Sequence, residues 1–304
     1  MLQSSGNMKV PSILHILMCF LDVIFNLFFI FPTRYVRILG HRLFLPGAGM
    51  GVTGAALGTA MAELLIMLCV LYFLLVRSPS LHLRRGEKMR WNLRDIKRAA
   101  AISLPVAVES VVMNGAQIVS SRIVAPLGTV AIAANSFSVT AESLCYMPGY
   151  GIGTASTTLI GQSVGADRGD LARKLGWFTT FFAMGVMAVS GGIMYVIAPW
   201  MIGILSPDEG VRALGTQVLR IEAFAEPMYG ASIVASGVFR GAGDTLIPSC
   251  LNFCSMWLVR IPLAAYLSRD WGLKGVWIAM CLELCVRGIL FLCRLATKKN
   301  WVRS

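Results

Sequence analysis

Residues 236–248 read SGVFRGAGDTLIP, a glycine-rich, charged hinge between two long apolar stretches. A blurred copy, LQSSGNMKVPS, runs from Leu2 to Ser12. Aligning Gly6–Ser12 with Gly243–Ser249 matches Gly, Pro and Ser at a constant offset of 237. A second pair follows. GVTGAALGTAMAE (51–63) and GLKGVWIAMCLE (272–283) match Gly51 with Gly272 and Gly54 with Gly275, at an offset of 221. One apolar stretch separates hinge from G-x-x-G in each copy. The order hinge, span, G-x-x-G, span occurs twice, which predicts an internal duplication. The 16-residue change of offset falls in PTRYVRILGHRLFLPG (32–47), an extra loop in the first copy.

The apolar stretches set the class. The 304 residues are 56% hydrophobic and only 14% charged, with a mean hydropathy of +0.70. A soluble domain carries about 25% charged residues. Several runs exceed the ~18–20 residues needed to cross a bilayer as a helix. They are continuous rather than alternating, which argues against a membrane barrel. The expected fold is all-α and polytopic, with about eight transmembrane helices near 11–32, 50–76, 101–124, 128–161, 174–204, 211–238, 247–267 and 273–295. The fourth and fifth are long. Pro148-Gly149 and Gly151 predict a break in the fourth.

A net charge of +12 suggests nucleic acid, but its placement argues otherwise. With the first span starting inside, 17 of the 27 Lys and Arg fall on one side and eight on the other, with Arg260 and Arg287 inside spans. This bias follows the positive-inside rule and predicts both termini in the cytoplasm of a multi-pass cell-membrane protein. The block RSPSLHLRRGEKMRWNLRDIKR (77–98) reads as a basic cytoplasmic connector. Nothing resembles a cleavable signal. All eight Cys fall in apolar spans and the three His are scattered, so no metal site is expected. There is no phosphate-binding loop and no catalytic constellation, so no cofactor and no enzyme are expected.

The duplication predicts organisation. The second copy has six spans, from about Ile102 to Cys293, and the first shows only its last two. Four more spans are expected before Met1. The expected parts are 1–76, the last two helices of a first lobe; 77–98, the interlobe linker; and 99–304, a six-helix second lobe. In the hinge, Gly supplies unusual backbone angles, Pro248 starts the next helix, and Asp244-Thr245 is placed to cap it.

LGTVAIAANSFSVTAESLCYMPGYGIGTASTTLIGQSVGA (127–166) resembles the second-lobe signature of the multidrug and toxin extrusion (MATE) transporters. So do GVFRGAGDTLIP (237–248), SMWLVRIPLAAYL (255–267) and GLKGVWIAM (272–280), while Gly51–Ala56 resembles the end of that family's first lobe. The match is nearest to the prokaryotic DinF-like branch. The resemblance implies two six-helix lobes and antiport, in which amphiphilic or cationic drugs leave through a cavity between the lobes as H⁺ or Na⁺ enters. There are two departures. The first-lobe helix that carries a key Asp in this branch is absent. The tenth-helix acidic position of other branches falls near Tyr229, with Glu226 one turn earlier.

Ionisable groups inside spans mark functional sites by default. On the third span Glu109, Met113 and Gln117 share one side, with Asn114 beside them. On the fourth, Asn135, Ser138 and Glu142 form a stripe. On the sixth, Glu222 and Glu226 are spaced i,i+4 just before Pro227. The expected cation- and substrate-binding set is Glu109, Asn114, Gln117, Asn135, Glu142, Glu226 and Tyr229. Met113, Met147, Tyr150, Met228 and Tyr229 supply apolar walls. Glu109 is expected to face the Asn135–Glu142 stripe and to couple the cation. Glu222 is expected near the outer end of its span, exposed to solvent. Glu283 and Arg287 read as an i,i+4 salt bridge, and Asp22 and Asn26 as a local polar contact. A lipid-linked-sugar flippase and a non-transporting remnant are the alternatives. More Glu than Arg in the spans favours the drug antiporter over the flippase.

Overall fold

The structure, a computed structural model, describes residues 9–38, 41–77, 93–298 and 301. Most of the connector expected at 77–98 and the first seven residues of the Leu2 hinge lie outside them. The chain divides into two compact units, Met1–Arg90 and Trp91–Ser304.

In the first unit, helix α1 (Lys9–Ile30) packs against α2 (Gly51–Tyr72), which runs into a π-helical turn at Phe73–Arg77. The segment between them is a two-stranded antiparallel hairpin, β1 (Pro32–Ile38) and β2 (His41–Ala48). Its register pairs Pro32 with Ala48 and Ile38 with His41. Thr33 Oγ1 donates to the Gly47 carbonyl at 3.0 Å and sits 3.2 Å from the Gly47 amide, which donates to it. Asp22 Oδ1 and Asn26 Oδ1 have no hydrogen-bond partner among the described residues, so the expected contact does not use these atoms. Asn26 instead packs against Gly58 of α2, where an added Cβ would stand 2.6 Å from Oδ1.

The second unit begins with α3 (Leu93–Val124) and a short 3₁₀ turn at Ala125–Leu127. Then come α4 (Thr129–Gly165), α5 (Gly169–Leu205), α6 (Glu209–Glu222) and α7 (Glu226–Gly241). Helix α8 (Leu246–Cys254) continues through a π-helical stretch, Ser255–Arg260, into α9 (Ile261–Thr297). Gly272, at φ 57°, ψ −136°, kinks α9 and divides it into two passes. Among the described residues, five stretches are long and apolar enough to cross a membrane: Lys9–Ile30, Gly51–Val76, Ala99–Leu127, Gly169–Leu205 and Leu246–Thr297. The last is two passes. Helix α4 has the length but carries a polar load, and α6 and α7 are each too short alone. Taken together they account for the eight expected segments. The result is an all-α polytopic membrane protein. Its exposed side chains fit lipid: Phe178, Phe182, Val189, Val196 and Trp200 all face outward from α5.

The break expected in the fourth span is not there. Helix α4 runs unbroken through Pro148, Gly149 and Gly151. Neighbouring helices pack closely against it there: a Cβ on Gly149 would meet Met187 of α5, and one on Gly153 would meet Ile233 of α7. The break falls in the sixth span, at residues 223–225. Pro227 lacks an N–H, so the Ala223 carbonyl has no helical donor four residues on. Pro is also at home in the first turn of the helix that restarts at Glu226.

The two G-x-x-G motifs adopt the same local structure. Gly51 and Gly272 both have positive φ, 55° and 57°. A Cβ on Gly54 would run into the Phe29 carbonyl of the preceding span, and one on Gly275 into the Leu267 carbonyl of its own. In each copy the first Gly makes the turn and the second lets two backbones touch.

Helix α7 threads the middle of the second unit and is built of small residues. Gly230, Ala231, Ser232, Ala235, Ser236 and Gly237 are all buried. Thr157 Oγ1 lies 2.9 Å from both the Gly153 and the Gly237 carbonyls, pinning α4 to α7. A Cβ on Gly237 would stand 2.5 Å from the Gly153 carbonyl. Gly237→Ala is therefore expected to destabilise the protein by about 1–3 kcal/mol through overpacking. Thermal unfolding in detergent checks this, and an unchanged midpoint refutes the close contact. One core lies between α4, α5, α6 and α9 around Trp277, and a second around Phe239, Phe291 and Trp301.

Candidate functional site

The residues singled out by the sequence fall into two groups at opposite ends of α7. The first group is the hinge. Gly243, at φ 76°, makes the turn that ends α7. Arg240 Nη2 donates to Glu109 Oε1 at 3.1 Å and Oε2 at 3.2 Å. Ser249 Oγ lies 2.6 Å from Oε2 and Asn252 Nδ2 2.6 Å from Oε1. Both oxygens of Glu109 are thus bound twice, by groups on α7 and α8. Asp244 is held by Arg294 at 3.4 Å and Lys298 at 3.5 Å. Lys298 also lies over the Phe239 and Trp301 rings, 5.1 and 5.3 Å from their centroids. Thr245 makes no side-chain cap bond, so the capping expected of Asp244-Thr245 does not form. The charges of the hinge instead brace it from both sides, against α3 and against the end of α9. Asn114, an exposed residue on α3, donates to the Ser110 carbonyl at 2.8 Å, and Gln117 is exposed one turn further on.

The second group is buried at the α6–α7 break. Arg240 is fourteen residues beyond Glu226 on one continuous helix, about 21 Å away at 1.5 Å per residue. Glu109 therefore does not join the Asn135–Glu142 stripe. Asn135 Oδ1 accepts from Trp277 Nε1 at 3.0 Å, and Ser138 Oγ from α4 donates to the Gly215 carbonyl of α6 at 3.4 Å. Glu142, Glu222, Glu226 and Glu283 are each at most 4% exposed. Solvent exposure was expected for Glu222, but it is buried: it lies on the inward side of α6 with Val218 and Leu219, all at the core. Glu142 interacts electrostatically with Arg260, Glu226 and Arg287, and Glu222 with Glu142, Arg260, Glu226 and Glu283.

These carboxylates are not equally served. Glu283 has Arg287 Nε at 3.0 Å and Nη2 at 3.3 Å, and it accepts from Ser255 Oγ, so the expected i,i+4 pair is formed. The Arg287 guanidinium also lies 5.5 Å over the Tyr229 ring. Tyr229 meets Tyr146 edge to face, and Tyr146 meets Tyr150 the same way. Met147 and Tyr150 are exposed on α4 beside them. Both oxygens of Glu222 and of Glu226 lack a geometric hydrogen-bond partner among the described residues, although the Cys145 thiol is beside Glu226. Sequence reasoning missed Arg260, Tyr146 and Gly191 as parts of this place. The i,i+4 spacing of Glu222 and Glu226 just before Pro227 was the available signal for it.

A buried cluster of carboxylates and guanidiniums inside a bundle of spans defines a polytopic membrane protein with a polar interior, a class in which such groups serve passage of ions or solutes. A family model described as MatE matches residues 105–266, just over half of the chain, and the protein belongs to that family. A probable multidrug resistance protein NorM of Xanthomonas axonopodis pv. citri (strain 306) is 29% identical over 67% of this chain and 44% of its own length. A probable NorM of Thermotoga maritima is 27% identical over 95% of this chain and 60% of its own. The chain thus spans about half the length of the curated relatives it matches. Its fold superposes on a Vibrio cholerae MATE transporter, VcmN, in the bent form, with a TM-score of 0.80 at 16% identity over 98% of this chain and 65% of that one. A MOP superfamily transporter from Pyrococcus furiosus gives 0.86 at 17% identity over 98% and 65%. At such identities the likeness is one of fold.

Proposed function

We propose that the protein works in secondary active efflux, exporting amphiphilic or cationic compounds in exchange for H⁺ or Na⁺, from a cell membrane with both termini in the cytoplasm. The observation that carries this reading is the buried group at the α6–α7 break. Four carboxylates face two guanidiniums there, so the fully ionised group has uncompensated negative charge in a low-dielectric place. Positive charge from outside the chain relieves it. Within the set read from the sequence, cation binding goes to Glu142 and Glu226, and the substrate wall to Tyr229 with Met147 and Tyr150. Asn135 holds Trp277. Asn114 and Gln117 stand on α3, and Glu109 braces the hinge. The two G-x-x-G turns support two duplicated lobes, with 1–76 from the first, 77–98 as linker and 99–304 as the second. The relatives' names support drugs as the exported class.

The test is gradient-driven export of a fluorescent organic cation from cells lacking their own efflux pumps. It compares the chain alone with the chain preceded by the part of the Thermotoga maritima relative that the match leaves out. Export by the fusion that collapses when the H⁺ and Na⁺ gradients are dissipated is the expected result. A fusion that inserts in the membrane and exports nothing overturns the reading. Glu142→Gln in the fusion is expected to lower export at least tenfold while leaving insertion intact, because Gln keeps the shape but not the charge.

A further inference from the structure

We infer that the seam between α5 and α6 is a binding site for an anionic phospholipid, with Arg212 and Arg220 as its headgroup ligands. The inference goes beyond the efflux reading. It needs only that the chain spans a membrane, and it concerns neither the exported compound nor the coupling ion.

Helix α5 sets the depth. Trp177 and Trp200 stand 23 residues apart on it, about 34 Å at 1.5 Å per residue. That is close to the ~30 Å hydrocarbon core, and Trp gathers at its two faces. Trp200, exposed on the outward side of α5, marks the interface near the end of that helix. Tyr195 then lies about 7 Å inside this interface and Gly203 about 4 Å outside it. Arg212 and Arg220 are eight residues apart, as are Gly203 and Tyr195, and α6 runs back along α5 so that each Arg meets one of the two. The Arg212 guanidinium lies over Gly203, where an added Cβ would stand 3.1 Å from Nη2 and 3.3 Å from Nε. Arg220 Nε donates to the Tyr195 carbonyl at 3.3 Å, and its guanidinium lies 5.1 Å over the Tyr195 ring. Pro199 accounts for that bond. It sits inside α5 and has no N–H, so the Tyr195 carbonyl lacks its helical donor four residues on.

Neither arginine has a carboxylate partner among the described residues. The acids at the head of α6 do not serve them. Asp208 Oδ1 accepts from the Val211 amide at 2.9 Å, and Glu209 is exposed and in no ion pair there. Glu222 is on the opposite, inward side of α6. A guanidinium at hydrocarbon depth without a counter-charge is costly. A long side chain can lower that cost by reaching up to the interface, but Nε of Arg220 is tied to the α5 backbone, so its acceptor has to come down to it. The fork of terminal nitrogens left over suits the paired oxygens of a phosphate. The flanks are apolar: Trp200 is 69% and Phe224 73% exposed, and Phe224 meets Tyr195 edge to face. A free oxyanion gains nothing from these rings. A ligand with phosphate at one end and acyl chains at the other uses both features, its phosphate toward Arg212 and the ester oxygens beneath it toward Arg220. Two cations in one seam favour an anionic headgroup over a zwitterionic one, whose ammonium would face the guanidiniums.

The experiment is thermal unfolding of the full 304-residue chain in detergent micelles at fixed ionic strength. The micelles are doped with phosphatidylglycerol or with phosphatidylcholine, and a third arm adds inorganic phosphate without lipid. Wild type is expected to gain several degrees, saturably, with phosphatidylglycerol, little with phosphatidylcholine and nothing with phosphate. Arg212→Gln and Arg220→Gln should each lose about half of the gain, and the double variant all of it. Arg269→Gln, which removes an exposed charge elsewhere, should keep it. Arg220→Gln leaves the Tyr195 carbonyl without its donor. Should that variant not fold, Arg212→Gln decides alone, since its side chain makes no hydrogen bond among the described residues. An equal gain with both lipids overturns the inference, because the seam would then read acyl chains only. An equal gain with inorganic phosphate overturns the lipid, and an undiminished gain in Arg212→Gln overturns the site. Sedimentation of the same samples covers one more outcome: a lipid-free dimer that the arginine variants dissociate would give the seam to a second copy of the chain and overturn the inference. No arm uses export, so a failure of the efflux reading leaves the result standing.

Discussion

Arg287→Gln is expected to lower the unfolding midpoint by about 10 °C. The side chains of Arg287 and Glu283 are 8% and 0% exposed, so the pair is dry. Breaking a buried pair by removing one partner costs about 3–5 kcal/mol, because the other charge is left buried and alone. At roughly 2–4 °C per kcal/mol this is a fall of about 10 °C. Glu283 would keep only the Ser255 hydroxyl, and Tyr229 would lose the guanidinium over its ring. The double variant Glu283→Gln, Arg287→Gln carries no stranded charge and should recover most of the loss. Thermal unfolding of the four proteins closes a double-mutant cycle. If the two single changes add with no coupling, the ion pair does not hold the place together. A recovery in the double variant that exceeds wild type is compatible with the pair, since a buried ion pair need not be a net stabiliser.

How far the sequence carried this picture depends on the kind of signal. Most of the spans were legible because continuous apolar length is a one-dimensional property. The pairs Gly51/Gly272 and Gly54/Gly275 were legible because a positive φ and a backbone contact each demand glycine locally, and both copies show both demands met. The Glu283–Arg287 pair was legible from its i,i+4 spacing. The break was misplaced because proline acts through its surroundings. Pro148 sits where α5 and α7 clasp α4, and Pro227 sits where a helix restarts. Glu222 was misread because hydropathy gives depth along a span but not which side faces the core. Glu109 was placed on the wrong neighbours for a related reason. Its spacing with Gln117 defines a face of α3, and only the packing of α3 against α8 and α9 says what that face meets.

Glu109→Ala is expected to destabilise the protein by about 3 kcal/mol while leaving its response to Na⁺ intact. The sequence points to cation coupling for this carboxylate, and we propose instead that it braces the hinge. Its two oxygens take bonds from Arg240, Ser249 and Asn252. Hydrogen bonds to a charged group contribute about 1.5–3 kcal/mol each. The Arg240 side chain is 38% exposed, so its share is cut by solvent screening, and the larger part comes from Ser249 and Asn252. Glu109→Gln keeps an acceptor for one neighbour but turns its amide nitrogen toward another donor, so a loss between those of wild type and alanine is expected. The readout that separates the two roles is thermal unfolding in detergent micelles as NaCl replaces choline chloride at fixed ionic strength and alkaline pH. A brace lowers the midpoint by the same amount in choline and in NaCl at one alkaline pH, because Arg240 lies about 21 Å along α7 from Glu226. A coupling carboxylate changes the size of the ion-induced shift. Glu109→Gln with near wild-type stability and no ion response would return the coupling role to Glu109 and leave Glu142 and Glu226 as bystanders.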